Sequence, residues 1–311
     1  MTATFILSLD CEGKWGMADH ITPYHDHHLT ADKLRGAYLA LTALFARYEV
    51  PATFAFVMAF ILSGAEQEVV DDLFPDHPAG RAWLASFRSA QARGDLGGWT
   101  LPEALDIVRD DGRNEIASHG FSHLPLDEDT PRDLAEREFA ACDRVARMRG
   151  LALDTLVFPR NQVGHVDLLA EHGVLGYRER LARGHDKIRK AAALASELNV
   201  FERPQPDAVP SRDRAMAIPS GHFFNWRVGA RRMVPRWTTA MRWRAMLEAA
   251  GTGDVVHLWL HPHNIITGPE TLPLLERVLR DVARLRDAGR LEIATQATYC
   301  RALAAKHEGD A

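Results

Sequence analysis

Along the chain, short apolar runs alternate with longer stretches in which apolar residues recur every three or four positions. This is the pattern of strands and amphipathic helices taken in turn. Thr4 to Asp10 reads as a first strand, Thr30 to Val50 as a helix and Ala52 to Phe60 as a second strand. A helix-rich stretch follows, and Thr100 before Pro102 and Glu103 resembles a capping box opening a helix that runs to Asp111. Asn114 to Ser118 is strand-like. Thr130 before Pro131 opens a helix that stops at Gly150, and Thr155 to Phe158 returns as strand. The remaining elements are a helix from Val166 to His172, stopped by Gly173, a helix from Thr238 to Ala250, a strand from Asp254 to Leu260, a helix from Glu270 to Ala288 and a strand from Leu291 to Gln296. Strand and helix in alternation predict an α/β protein with a parallel sheet.

One stretch breaks the rhythm. Arg203 to Trp237 is rich in Pro and Arg and too long for an ordinary connection, so it is expected to form a functional loop or cap inserted in a single domain over residues 1–305. Residues 306–311 are expected to fray. A chain of 311 residues with 46% hydrophobic content can bury a full core. Its net charge of -5 gives no basic footprint and argues against nucleic acid as a partner. Cys11, Cys142 and Cys300 are odd in number and far apart, which reads as reduced thiols in a cytoplasmic protein rather than a disulfide framework. The opening MTATFILSLD lacks a basic n-region and a cleavage site, so it reads as a strand and not a secretory signal. The strongest apolar run, Ala52 to Leu62, falls short of the roughly 20 residues that cross a bilayer. No transmembrane segment is expected.

The unusual polar residues fall where strands end, the open rim of a βα barrel. Asp10 and Glu12 close the first strand; His119 and His123 follow the Asn114 strand; Arg160 follows TLVFP; His261 and His263 follow VVHLWL. Asp10 and Glu12, two apart, project from one face, and two carboxylates that close call for a cation. His119 and His123, four apart, would share one face of a helical turn and reach a single metal. Two imidazoles and one carboxylate leave a position open for water, and the second carboxylate is free to take its proton. His257 to His261 repeats the same spacing, so HxxxH alone is unspecific. His257, mid-strand, reads as a core histidine and Cys11 as a small buried hydrophobe, and the His25 to His28 cluster reads as a solvated surface loop, with a rim loop contacting substrate as the alternative.

In LDCEG, SHGFSH, FPRNQ and LWLHPHN, taken in that order, the sequence resembles the polysaccharide deacetylase family, the NodB-homology group also called carbohydrate esterase family 4. The resemblance spans nearly the whole chain and implies an irregular (β/α)7-type barrel with a divalent metal. It maps the catalytic base to Asp10, the metal carboxylate to Glu12, the metal histidines to His119 and His123, the general acid to His261 and the base-orienting arginine to Arg160. The family's common first motif has adjacent aspartates where this chain has Asp10 and Cys11, so Asp10 and Glu12 can exchange roles. FPRNQ and HPHN look most like the subgroup of surface-polysaccharide and O-antigen biosynthesis. Zinc is the default ion, and Fe, Co or Ni also suit the ligand set.

The implied activity is hydrolysis of an N-acyl group, acetyl or formyl, from a sugar. Trp15, Asn161, Asn225, Arg227 and His263 are expected to contact that substrate. Seven arginines between Arg203 and Arg236, with Trp226 and Trp237, suit a nucleotide- or lipid-diphosphate-linked sugar. Two other readings stay open: a hydrolase of a small non-sugar amide or cyclic ureide, as in allantoinase-like relatives of the fold, and a carbohydrate-binding protein without catalysis.

Overall fold

The computed structural model describes residues 2–69, 71–74, 76–180, 203–208, 215–225 and 233–309. Ten strands lie among them: β1 (Ala3–Cys11), β2 (Thr53–Phe56), β3 (Glu115–Ser118), β4 (Thr155–Leu156), β5 (Gly176–Arg178), β6 (Gln205–Pro206), β7 (Met216–Ile218), β8 (His222–Phe223), β9 (Asp254–Leu260) and β10 (Leu291–Ala294). Parallel pairing runs β9-β1-β2-β3-β4-β5-β7, and β6 joins β9 antiparallel. β10 and β2 share one edge of β1, β10 against Ala3 to Ile6 and β2 against Ser8 to Cys11. At the far side the chain passes from β7, paired to β5, straight into β8, paired to β9. That step carries the sheet round towards its first strand, giving the curled, irregular barrel of a mixed α/β fold.

The strand pattern explains what lies on each side of the sheet. Along β1, Leu7, Leu9 and Cys11 join the main apolar cluster beneath the helices. The alternate residues, Ile6, Ser8 and Asp10, face the barrel interior, and Glu12 continues that series just past the strand. Ile6 packs at the closed end with Ile218 and Val255. The interior is thus apolar below and polar above, and the polar half opens towards the strand ends.

The helices are α1 (Pro23–His28), α2 (Ala31–Tyr48), α3 (Gly64–Val69), α4 (Pro78–Ala92), α5 (Glu103–Arg109), α6 (Arg132–Arg149), α7 (Arg236–Ala249), α8 (Asn264–Thr267), α9 (Thr271–Asp287) and α10 (Gln296–Gly309). In α2 the buried Leu34, Tyr38, Leu41 and Phe45 form one stripe, Thr30 Oγ1 accepts from Lys33 N, and Glu49 ends the helix in the left-handed conformation. Each such leucine contributes about 1.5–3 kcal/mol by leaving water. α9 packs against both α2 and α7.

Several expectations change. The second strand is shorter, because Met58–Ile61 turns into 3-10 helix as the chain leaves the sheet. Thr100 caps nothing; α5 starts at Glu103 with Pro102 as its N-cap. The stretch from Val166 is a single 3-10 turn, Val166–Leu168. The last helix runs to Gly309. Within 203–237, Gln205–Pro206, Met216–Ile218 and His222–Phe223 pair into the sheet as β6, β7 and β8. Among the described residues, no helix is long and apolar enough to cross a membrane.

Candidate active site

Glu12, His119 and His123 come from two strand ends far apart in sequence and meet in the buried upper half of the barrel. His123 Nε2 lies 2.9 Å and His119 Nε2 3.6 Å from Glu12 Oε2. The two imidazole nitrogens are 3.2 Å apart. A tetrahedral cation with bonds of about 2.0–2.2 Å holds its ligand atoms roughly 3.4 Å from one another, so this triangle has the size such an ion needs. The His119 ring is held in the tautomer a ligand requires, because its Nδ1 donates to Val157 O at 2.7 Å and so leaves Nε2 with a free lone pair turned to Glu12. His123 Nδ1 has no hydrogen-bond partner among the described residues, so only its Nε2 is engaged. Burial pushes the His123 pKa down, keeping the ring neutral as a ligand must be. The donor set and its spacing therefore fit a divalent metal. Glu12, His261 and His263 form a second group with ligand atoms within 4.8 Å of one another, but only Glu12 of these three is fully buried.

The backbone around these ligands is built for close approach. An added Cβ on Gly16 would come within 2.1 Å of Glu12 Oε1, so only glycine leaves room for that carboxylate. The two histidines do not share a helical turn as expected. They flank a loop in which Gly120 has φ +77° and His123 φ +59°. Glu138 of α6 clamps this loop: its carboxylate accepts from Phe121 N, Ser122 N and Ser122 Oγ. Strain at His123 of about 1–3 kcal/mol is held by that clamp and by the ligand triangle.

Asp10 lies beside the triangle, gripped by a residue that the sequence pattern did not single out. Arg178, at the end of β5, donates from both terminal nitrogens to the two Asp10 oxygens at 2.8 and 2.7 Å. Its guanidinium also donates to Asn161 Oδ1 and lies 4.2 Å over the Trp259 ring. Beneath it, Ser8 Oγ lies 3.5 Å from Arg178 and 2.8 Å from His257 Nε2, and His257 Nδ1 donates to Pro219 O. Burial works to raise the Asp10 carboxyl, but Arg178, His119 and His261 outweigh it and hold it below the ordinary range. Glu12 is held well below its range, again against burial, by His261, His123 and His119. His261 completes the group: its Nε2 lies 3.4 Å from Glu12 Oε1 and 4.0 Å from Asp10 Oδ2. Asn264 Oδ1, 3.3 Å from His261 Nδ1, orients that ring.

A cleft of about 790 Å³ leads to Glu12 and His261, walled by Tyr24, His25 and His28 on one side and Phe223, Asn225 and His263 on the other. Comparison with known proteins places this architecture. Neither a protein-family model nor a curated protein matches the chain. Solved structures do. One, described as a polysaccharide deacetylase from Mycobacterium smegmatis, is 18% identical with a TM-score of 0.57, covering 98% of this chain and 91% of that one. Another, described as a polysaccharide deacetylase from Pseudomonas aeruginosa PAO1, is 14% identical with a TM-score of 0.54, covering 96% and 89%. What is shared is the fold.

Against that fold, the expected site residues separate. Asp10, Glu12, His119, His123 and His261 are brought together. Arg160 is not beside Asp10: it turns outward through a left-handed backbone (φ +55°), pairs with Asp19 and stacks 4.6 Å over Trp83, and Arg178 stands where Arg160 was expected. Trp15 contacts no substrate space, being wholly buried on Phe87 and Trp99 with Nε1 donating to Trp99 O. Asn161 is buried as the acceptor for Arg178 rather than lining the cleft. Asn225 and His263 do line it; Arg227 and Trp226 lie outside the described residues. His257 is the satisfied core histidine expected. The His25 to His28 cluster is helical, not a loop, and turns His25 and His28 to the cleft. The signal for Arg178 was present in VLGYRER: a charged residue ending a short apolar strand, just after the Gly173 stop.

Proposed function

We propose that this protein is a metal-dependent hydrolase that removes an N-acyl group, acetyl or formyl, from a sugar. One observation carries the reading: Glu12, His119 and His123 form a buried ligand triangle with a fixed carboxylate, Asp10, on one side and His261 on the other. The fold shared with structures described as polysaccharide deacetylases supports it.

When bound, a divalent metal held by Glu12, His119 and His123 supplies a Lewis acid for the acyl carbonyl and for the attacking water. Asp10, kept ionised by Arg178, takes the proton from that water as the new C–O bond forms. His261 gives a proton to the departing nitrogen as the C–N bond breaks, because an amide anion leaves poorly. The products are acetate or formate and the free amine. Phe223, stacked on Trp259 at 4.3 Å between centroids, offers an apolar wall beside His261 for a sugar face. Arg236 at the cleft mouth suits a phosphate-bearing sugar, nucleotide- or lipid-linked, of the kind used in surface-polysaccharide or O-antigen synthesis.

The test is release of acetate and formate from N-acylated sugars, with and without chelator. Release that chelator abolishes and added metal restores is the expected result. Release that persists without metal, or release from small amides and cyclic ureides alone, would refute the reading.

A further inference from the structure

Helix α7 buries Thr239, Trp243 and Met246, spaced i, i+4, i+7, against the protein. Its outer face carries Trp237, Met241 and Arg244 at the same spacing. That face is bare. Trp237 is 60% exposed and Met241 50%, and Met233, four positions ahead of Trp237, is 85% exposed. Arg236 and Arg244 stand exposed beside them. Glu248, four positions past Arg244, is itself paired with Arg284 and Arg290, and Arg236 lies 4.0 Å from Glu270, so arginines outnumber acids on the described surface here, within a chain of net charge -5. Large apolar side chains grouped in water mark an interaction site, and arginines among them define its partner as anionic.

We propose that this face docks the protein on an anionic lipid surface. Trp237, Met241 and Met233 enter the interfacial layer, and Arg236 and Arg244 meet headgroup phosphates. Charge complementarity selects this occupant. A second copy of the chain would set the same arginines against one another across a twofold interface, where like charges repel. A nucleic acid would satisfy the arginines and leave Trp237 and both methionines in water, whereas a membrane interface takes both kinds of group. Arg236 also borders the cleft, so the docked face sets the mouth beside the lipid. This inference goes beyond the hydrolase reading and stands independently of it, since vesicle binding needs no metal and no turnover.

The experiment is flotation of the full chain with vesicles of phosphatidylcholine alone or with 30% phosphatidylglycerol (on the order of the anionic content that gives a strong surface potential), with no substrate present. The expected result is partition onto the anionic vesicles only, weakened by salt, and reduced about tenfold or more by Trp237→Glu with Met241→Glu. Arg244→Glu, a single exposed change, gives the same direction of effect should the double variant melt early. Wild-type protein that stays off anionic vesicles, or variants that float as well as wild type, would overturn the proposal. So would a wild-type dimer in light scattering that the double substitution splits, or capture by a soluble polyanion without any vesicle binding.

Discussion

Arg178 shows how one side chain can define a site. A buried guanidinium is tolerated only where its charge is met, and here the fork of Asp10, the Asn161 carbonyl and the Trp259 ring meet it together. Removing it strands the Asp10 carboxylate in a dry interior. Arg178→Met is therefore expected to lose about 3–5 kcal/mol of stability, read from urea unfolding. Arg178→Lys keeps the charge but not the planar fork, so its kcat/KM should fall about 100-fold with metal content unchanged. Arg160→Lys, acting on Asp19 at the surface, should change kcat/KM less than tenfold. Equal losses from the two lysine variants would mean that Arg178 does not position the base. His261 sits in the same group, and its ring needs Asn264 to point Nε2 towards the carboxylates.

Helix α6 acts on the site at one remove. Its Glu138 reaches the loop between the two histidine ligands and accepts three hydrogen bonds there. Burial pushes the Glu138 carboxyl up, so a neutral amide of the same shape is a close substitute. Glu138→Ala leaves three donors without an acceptor at about 1–3 kcal/mol each and should weaken metal affinity about 10- to 100-fold. Glu138→Gln should keep most of both, as calorimetric titration with zinc would report. Such links explain what could be read in advance. Strands with strong period-2 or all-apolar runs, Ala3–Cys11 and Asp254–Leu260, were legible, as were the long striped helices Ala31–Tyr48 and Thr271–Asp287. The polar residues at their ends, Asp10, Glu12 and His261, followed from that. The three-residue strand Gly176–Arg178 carries a strand-end charge but too little pattern for that charge alone to set Arg178 above Arg160. Trp15 fills the core rather than the cleft, and sequence does not separate the two roles because aromatic residues that stack on sugar and those that fill a core look alike until burial is known. The loop geometry of His119 and His123 depends on Glu138, a contact across 15 residues or more that no local spacing reveals.

Across the barrel as a body, stability and function draw on the same polar interior. His257 sits neutral between Ser8 and Pro219 with its pKa pushed down to about 3 by burial, Arg178 adding to it, and His222 is pushed down to about 4 by burial and Arg242. Below an unfolded value near 6.5 the unfolded chain takes up protons that the folded chain refuses. Stability is therefore present above about pH 6.5 and is lost as pH falls towards 4 and then 3. Each histidine should contribute a loss of about 2 kcal/mol between pH 7 and pH 5. His257→Gln should remove its share of that slope in urea titrations; an unchanged slope would show that His257 is not held neutral. The barrel also decides where the ligands converge, since β1 and β3 are held in register through β2 and their ends are brought level at its rim. The most direct test of that convergence is metal content per chain, by mass spectrometry after dialysis against zinc, for wild type and for His119→Ala with His123→Ala. One equivalent in the wild type and none in the double variant is the expected result. A wild-type chain that retains no metal, or a double variant that retains the full equivalent, would contradict the account.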